Sequence, residues 1–302
     1  MKNIILTFTL LTILFSCKND SKPITSTENS VVSHEKPISQ KDFKEGKIEI
    51  QIYFPDNPIG TLLKKVDPTQ DDIELQIATL SKALNNNDKL KIDKINKTNP
   101  LFLLQLFYVP LLKNEIFIKN NIALAKCDGL IYHLENLIKE DGTGTVFMQS
   151  QKNKNSQVSF NYSKDYIRKS TIQTIISQEQ FIKEQTNETL NIAGYMCKKT
   201  IYRPKAGTHD TKAKKLEVWT SSQMPKSLNF LHPFYIEENH GIMKISVFFD
   251  ENFPMVYEFK NIIAREVKDN EMTIQQHLPI YDSKTQEIEI GKKTMDIMFG
   301  GQ

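Results

Sequence analysis

The chain has 302 residues, and its 39 Lys and Arg against 36 Asp and Glu leave a net charge of +3. That near-balance excludes the basic footprint of a nucleic-acid binder, so the lysines around Lys212 and Lys215 read as a solvated turn. After the first fifteen residues no apolar segment is long enough to cross a bilayer as a helix.

Met1-Lys2 is a short positive start, and Ile4 to Phe15 is an apolar run broken only by Thr7, Thr9 and Thr12. It is too short to span a membrane and has the form of a secretory signal. Leu14-Phe15-Ser16-Cys17 resembles the bacterial lipobox. The resemblance implies cleavage before Cys17, a diacylglycerol thioether on its sulfur, and an acylated new N-terminus carrying a chain such as palmitate. One acyl chain gives marginal anchoring at ~0.8 kcal/mol per buried CH₂, whereas several chains on one residue hold firmly. Residues 1–16 are therefore expected to be a lipoprotein signal peptide with lipidation at Cys17. The expected address is the cell envelope, at the outer membrane, with the periplasmic or surface face left open. Residues 17–44 are rich in Ser, Thr, Lys, Glu, Asn and Pro and read as a flexible tether. Residues 45–302 then form the folded domain.

GKIEIQIYF, Gly46 to Phe54, alternates apolar and polar residues and predicts a half-buried strand, broken by PDNPIG. Thr69-Gln-Asp-Asp72 resembles a capping box. Ile73, Ile77, Leu80 and Leu84 behind it predict an amphipathic helix ending at Asn85-Asn-Asn87. Asn99-Pro100 opens a second predicted helix, LFLLQLFYVPLL, apolar on all sides and ended by Pro110. Residues 69–112 thus form a helical insert.

From Asn114 onward the pattern is strand after strand. EIFIKNNIALAKC, GLIYHLENLIK, TVFMQSQ, QVSFNYS, STIQTIIS, ETLNIAGYMCKKTIY, KLEVWTSS, GIMKISVFF, PMVYEFKNIIAREV, EMTIQQHL and TQEIEIG follow in order. GLIYHLENLIK also fits a helix. Asp-Gly pairs at Asp128 and Asp141 mark turns, and the KKTMDIMFGGQ end reads as a short helix. The predicted class is mainly β with an α insert (α+β): a curved antiparallel sheet of roughly 10–11 strands. Trp219, the single Trp, is expected in the core.

Gly194-Tyr-Met-Cys-Lys-Lys-Thr200, then Glu217-Val-Trp-Thr220, then Met224-Pro225, resembles a family of Gram-negative envelope proteins. That family is similar to the lipoprotein-carrier (LolA-like) half-barrels and to GLPGLI-type proteins. In strand order the resemblance covers most of Gly46 to Ile290, and in residues Gly194 to Pro225. It implies an open half-barrel capped by helices, whose cavity holds acyl chains in carrier members. No ligand-binding residue transfers, because the matching residues are structural; Gly194 fits a tight turn or a bulge.

Several chemistries are weighed by their residues. His232 to His240 holds two His and two carboxylates, but the spacing matches no zinc pattern, so neither a metal nor another cofactor is expected. There is no Gly-x-Ser-x-Gly and no His-Glu-x-x-His, and the chain is not expected to be an enzyme. Cys127 and Cys197 leave two alternatives: a disulfide closing about 70 residues, or two separate buried thiols. Leu101, Phe102, Leu104, Phe107, Tyr108 and Leu111 are the candidates for contact with an apolar ligand, against a plain core role. Two functions stay open. One is a non-enzymatic envelope lipoprotein that binds or carries a lipid or acyl chain. The other is a structural lipoprotein with a self-filled core that docks a protein partner.

Overall fold

Strict alternation builds the first strand: Ile48, Ile50 and Ile52 are buried, while Lys47, Glu49, Gln51 and Tyr53 between them are partly exposed. The computed structural model describes residues 42–67, 70, 73–98, 106–107, 109–163, 174–175, 178–207, 213–231, 234–249 and 254–300. Strands in chain order are β1 (Gly46–Tyr53), β2 (Lys113–Lys119), β3 (Ile122–Asp128), β4 (Tyr132–Ile138), β5 (Gly144–Ser150), β6 (Gln157–Tyr162) and β7 (Thr174–Ile175). They continue as β8 (Phe181–Ile192), β9 (Tyr195–Pro204), β10 (Lys215–Ser221), β11 (Phe234–Tyr235), β12 (Gly241–Phe248), β13 (Pro254–Ala264) and β14 (Ile280–Asp282). The helices are α1 (Pro58–Leu63), α2 (Ile73–Lys82), α3 (Asn86–Thr98) and α4 (Glu287–Phe299).

Twelve strands make one open sheet in the order β14-β6-β5-β4-β3-β2-β1-β13-β12-β10-β9-β8, while β7 and β11 pair separately. The first strand, β1, lies in the middle of the sheet, and later strands extend it to both edges. Neighbours are antiparallel except β14, which lies parallel to β6. Its inner face carries Ile48, Ile50 and Ile52 with their register partners Ile116, Phe259 and Tyr257. These belong to a continuous apolar core with Ile59, Leu62 and Leu63 of α1, Leu106, Val109 and Leu111, and Ile290, Ile297 and Met298 of α4. The outer face is divided. Over β2 to β6 it is crossed by residues 265–282: Lys119 Nζ donates to Val267 O, Lys126 Nζ to Thr273 O, Gln275 N to Glu135, and His277 N to Ser159 Oγ. Over β1, β13, β12, β10 and β9 it carries an ionic ladder, with Lys47–Glu115 at 2.7 Å, Lys244–Glu258 at 3.5 Å and Lys215–Glu217 at 2.8 Å.

Several sequence expectations change. EIFIKNNIALAKC is a hairpin, because Asn120 and Asn121 both take positive φ (51° and 62°) and form the two-residue turn that suits a right-twisted pair. EMTIQQHL is the strap across the outer face, with a 3₁₀ turn at Asp269–Met272 and a cis Leu278–Pro279 bond, and is not a strand. TQEIEIG opens α4: Ile290, Ile297 and Met298 share a helix face and pack on the core, and that burial overrides the short alternation. PDNPIG yields a helix, capped by the Asn57 side chain with Pro58 in the first turn. The Asn85 run ends one helix and caps the next, since Asn85 Oδ1 accepts from Asp88 N at 2.9 Å. The capping residues Thr69, Asp71 and Asp72 lie outside the described residues, as does half of Leu101 to Leu112.

Candidate functional site

Of the predicted ligand contacts, Leu101, Phe102, Leu104 and Tyr108 lie outside the described residues, as does Cys17. Leu111 is 4% exposed and joins the core, and Phe107 is half-buried against it. Here the chain's own side chains occupy the apolar face. At the end of β1 a cleft of about 50 Å³ is lined by Tyr53, Phe54, Asn57, Gly60, Thr61 and Lys64. Ligand pockets for drug-sized molecules run to roughly 300–1,000 Å³, so this cleft takes only a few atoms. Asn57 Oδ1 accepts from Ile59 N at 3.0 Å, which fixes the amide's orientation, and its buried Nδ2 has no partner.

Two groups of titratable side chains stand out, each gathered around a buried carboxylate, Glu135 or Glu238. The first lies under the strap. His133 Nδ1 meets Asp128 at 2.7 Å, and Nε2 meets Glu135 at 3.4 Å. Strand geometry explains the trio: His133 and Glu135 are two apart on β4, and Asp128 is the register partner of His133 on β3. Glu135, 2% exposed, also accepts from Gln275 N at 2.6 Å and Nε2 at 3.2 Å. Burial works against a charged His133, but the bonds from Asp128 and then Glu135 outweigh it and bring its pKa up to about 9. Burial likewise opposes ionised Asp128, yet the His133 bond holds its carboxyl below the usual range. Both ring nitrogens face carboxylates, so this imidazole is placed as a cationic clamp and has no nitrogen turned toward a nucleophile.

The second group sits between β8, β9 and the loop after the 3₁₀ turn Lys226–Leu231. Tyr202 Oη donates to Glu238 at 2.5 Å, and Lys183 Nζ meets the same carboxylate at 2.9 Å. Asn229 staples the loop, donating to the carbonyls of Glu238 and His240 and accepting from Ile242 N. Burial, then the Glu238 bond, pushes the Tyr202 hydroxyl pKa up. Glu237 points elsewhere, 3.9 Å from Lys226, and His232 lies outside the described residues. No set of three or more His, Cys, Asp or Glu side chains among the described residues is placed to hold a metal ion.

The disulfide alternative is corrected: Cys127 and Cys197 are free and buried. Cys127 on β3 and Cys197 on β9 stand six strand positions apart in the sheet. Each sulfur has its own acceptor, Asn114 Oδ1 at 3.3 Å and Tyr195 O at 3.5 Å. Burial pushes the Cys197 thiol pKa up to about 12 and that of Cys127 up as well, so neither is a nucleophile at neutral pH. Trp219 is buried as expected, with Lys199 Nζ 5.5 Å from its ring centroid. Gly194 turns the β8–β9 hairpin at φ 93°. Among the described residues no helix is long and apolar enough to cross a membrane.

The sequence offered weak signals for these groups. His133-Leu-Glu135 is visible as a pair, but Asp128 joins it only through the hairpin register. Nothing local links Lys183, Tyr202 and Glu238, which meet across 55 residues of chain. No family model and no curated protein matches the chain. Two solved structures of PNGF-II are similar to it at 15% identity. The first has a TM-score of 0.36 over 60% of this chain and 30% of that one, the second 0.31 over 61% and 31%. The chain spans about a third of their length. A domain described as that of an outer membrane lipoprotein-sorting protein from Vibrio parahaemolyticus is similar at 7% identity and a TM-score of 0.16, over 54% of this chain and 83% of that one. Likenesses of this size carry no argument about what the chain does.

Proposed function

We propose that this is a non-enzymatic envelope lipoprotein, anchored by lipid at Cys17, whose domain docks a protein partner and keeps its apolar face filled by its own chain. The observation that supports this reading is the burial of the inner face. Ile48, Ile52, Ile116, Val146, Phe160 and Tyr257 are each nearly inaccessible, in one core with α1 and α4. The titratable groups described above support it too, since they bond one another.

A second reading, carriage of an acyl chain in a half-barrel, draws on the chemistry of the cover. Ile59, Leu62, Leu63 and Val66 are its buried apolar side chains, worth roughly 6–12 kcal/mol at about 1.5–3 kcal/mol each. A sixteen-carbon acyl chain brings about 12 kcal/mol at ~0.8 kcal/mol per CH₂. Exchange of cover for ligand is therefore close to even.

Native mass spectrometry of the full chain, released from detergent, separates the two. The docking reading expects the bare polypeptide mass with only the Cys17 lipid, unchanged by added fatty acid. A stoichiometric extra acyl ligand, taken up more readily by Leu62→Asp protein because its cover is loosened, would establish the carrier reading instead.

A further inference from the structure

The cleft at the end of β1 is lined mainly by hydrogen-bond donors. Asn57, Gly60, Thr61 and Lys64 are spaced i, i+3, i+4 and i+7, so they share one side of α1, and Tyr53 and Phe54 close the cleft from the strand. Gly60 seats the helix on the Phe54 ring, where a Cβ would come within 2.7 Å of it. Asn57 is 6% exposed. Its Oδ1 is spent on Ile59 N at 3.0 Å, so the amide cannot turn over, and the buried Nδ2 keeps two hydrogens without an acceptor. A buried donor left unpaired is costly in a native fold and calls for a reason.

The other polar side chains of the stripe supply one. Thr61 brings a hydroxyl and Lys64 an ammonium, both exposed, and Lys64 has no ion-pair partner among the described residues. Cβ bonds on a helix tilt toward its N-terminus, which leans the Lys64 stem back toward Asn57. Tyr53 already gives its hydroxyl hydrogen to Glu258 at 2.6 Å, and no carboxylate lines the cleft. A ligand that satisfies Asn57 Nδ2 must bring an acceptor, and one that also suits Lys64 must bring negative charge. About 50 Å³ is room for a planar group of a few atoms. We propose that this cleft binds a carboxylate, held by Asn57 Nδ2 and the Lys64 ammonium with the Thr61 hydroxyl beside them. The space is too small for a whole metabolite, so a larger molecule presents the group and keeps its remainder outside. Under the docking reading that molecule is the partner protein, through an acidic side chain or its chain terminus. The site does not require that reading, because free acetate is enough to fill it.

The test titrates the full chain, labelled with ¹⁵N on asparagine and held in detergent micelles, with sodium acetate at constant ionic strength. The side-chain amide signal of Asn57, assigned by its absence from Asn57→Ser protein, should move along a saturable curve with a millimolar Kd. Lys64→Gln should weaken that Kd about tenfold. Saturation transfer to the acetate methyl gives a second readout, in which Asn57→Ser should weaken binding about tenfold as well. Serine keeps the cap acceptor of α1, so an unchanged denaturation midpoint excludes a folding defect as the cause. Two further probes locate the source of the carboxylate. Tighter binding of a short acetylated peptide acid than of acetate, absent for the peptide amide, assigns it to a protein chain. Acetate binding with the peptide excluded assigns it to a small free acid, and both results keep the site. Three results would overturn it: an Asn57 amide that responds to acetate no more than to chloride, acetate affinity unchanged in both variants, or inorganic phosphate bound more tightly than acetate.

Discussion

The clamp on His133 sets a measurable pH dependence of stability. Its folded pKa lies near 9, above the ordinary value of about 6.5. A raised pKa means that the folded state holds the proton more tightly. The stabilisation is therefore fully present below pH 6.5 and is lost as pH rises from 6.5 through 9. At about 1.36 kcal/mol per unit the shift is worth at most about 3 kcal/mol. The imidazole is 20% exposed, so solvent screening trims this only in part. For a domain of this size 1 kcal/mol moves the melting temperature by roughly 2–4 °C, and the expected fall across the window is roughly 6–12 °C. His133→Gln removes the titrating group while keeping a polar side chain between Asp128 and Glu135. Its melting temperature should already be low at pH 6.5, and the gap to the parent chain should close by pH 9. Scanning calorimetry at half-unit pH steps reads both curves. Parallel curves, or an imidazole carbon titration of His133 with a midpoint near 6.5, would refute the clamp.

Cys127 and Cys197 should resist maleimide in the native chain and both react after guanidinium unfolding without any reductant; peptide mapping by mass spectrometry reads each site. Asn57→Ala should cost about 1 kcal/mol by removing the α1 cap, while Asn57→Ser, which keeps an acceptor and deletes the unpartnered Nδ2, should be near neutral in the denaturation midpoint. Tyr202→Phe should cost about 1–3 kcal/mol, because it strips one of the two donors from the buried Glu238 carboxylate; equal stability to the parent chain would show that Lys183 alone satisfies it.

Where side-chain chemistry and backbone demand coincide locally, the fold was legible in the residues. β1 follows from four alternating apolar residues, and the β8–β9 turn follows from the Gly194 position. The misread segments were those where a short pattern fits two structures. Ile288 and Ile290 alternate like a strand, and only their continuation into Ile297 and Met298, with a core to bury them, selects the helix. Asn120-Asn121 sat inside an apolar run and looked like part of one strand, yet Asn tolerates positive φ well enough to turn a hairpin. The site was less legible for a different reason. Asp128, His133 and Glu135 meet by cross-strand register, and Gln275 reaches them from 140 residues away. Composition and spacing carry no information about such pairings.

The edges of the sheet bear on where a partner can sit. A free edge with unpaired backbone groups invites strand addition unless something blunts it. β14 is three residues long and runs through a turn, with Gln286 N donating to Asp282 O, straight into α4. β8 is twelve residues long, but its register breaks between Gln185 and Thr189. Inside that break Thr186 Oγ1 donates to Lys199 O, and Glu188 N donates to Thr186 Oγ1. The bulge bends the edge, and Lys183, Glu184 and Glu188 place charges along it. An added strand would meet a kinked, charged template on one side and a three-residue stub on the other. Growth of the sheet is opposed at both ends, which leaves the faces of the domain, and not its edges, to the proposed partner.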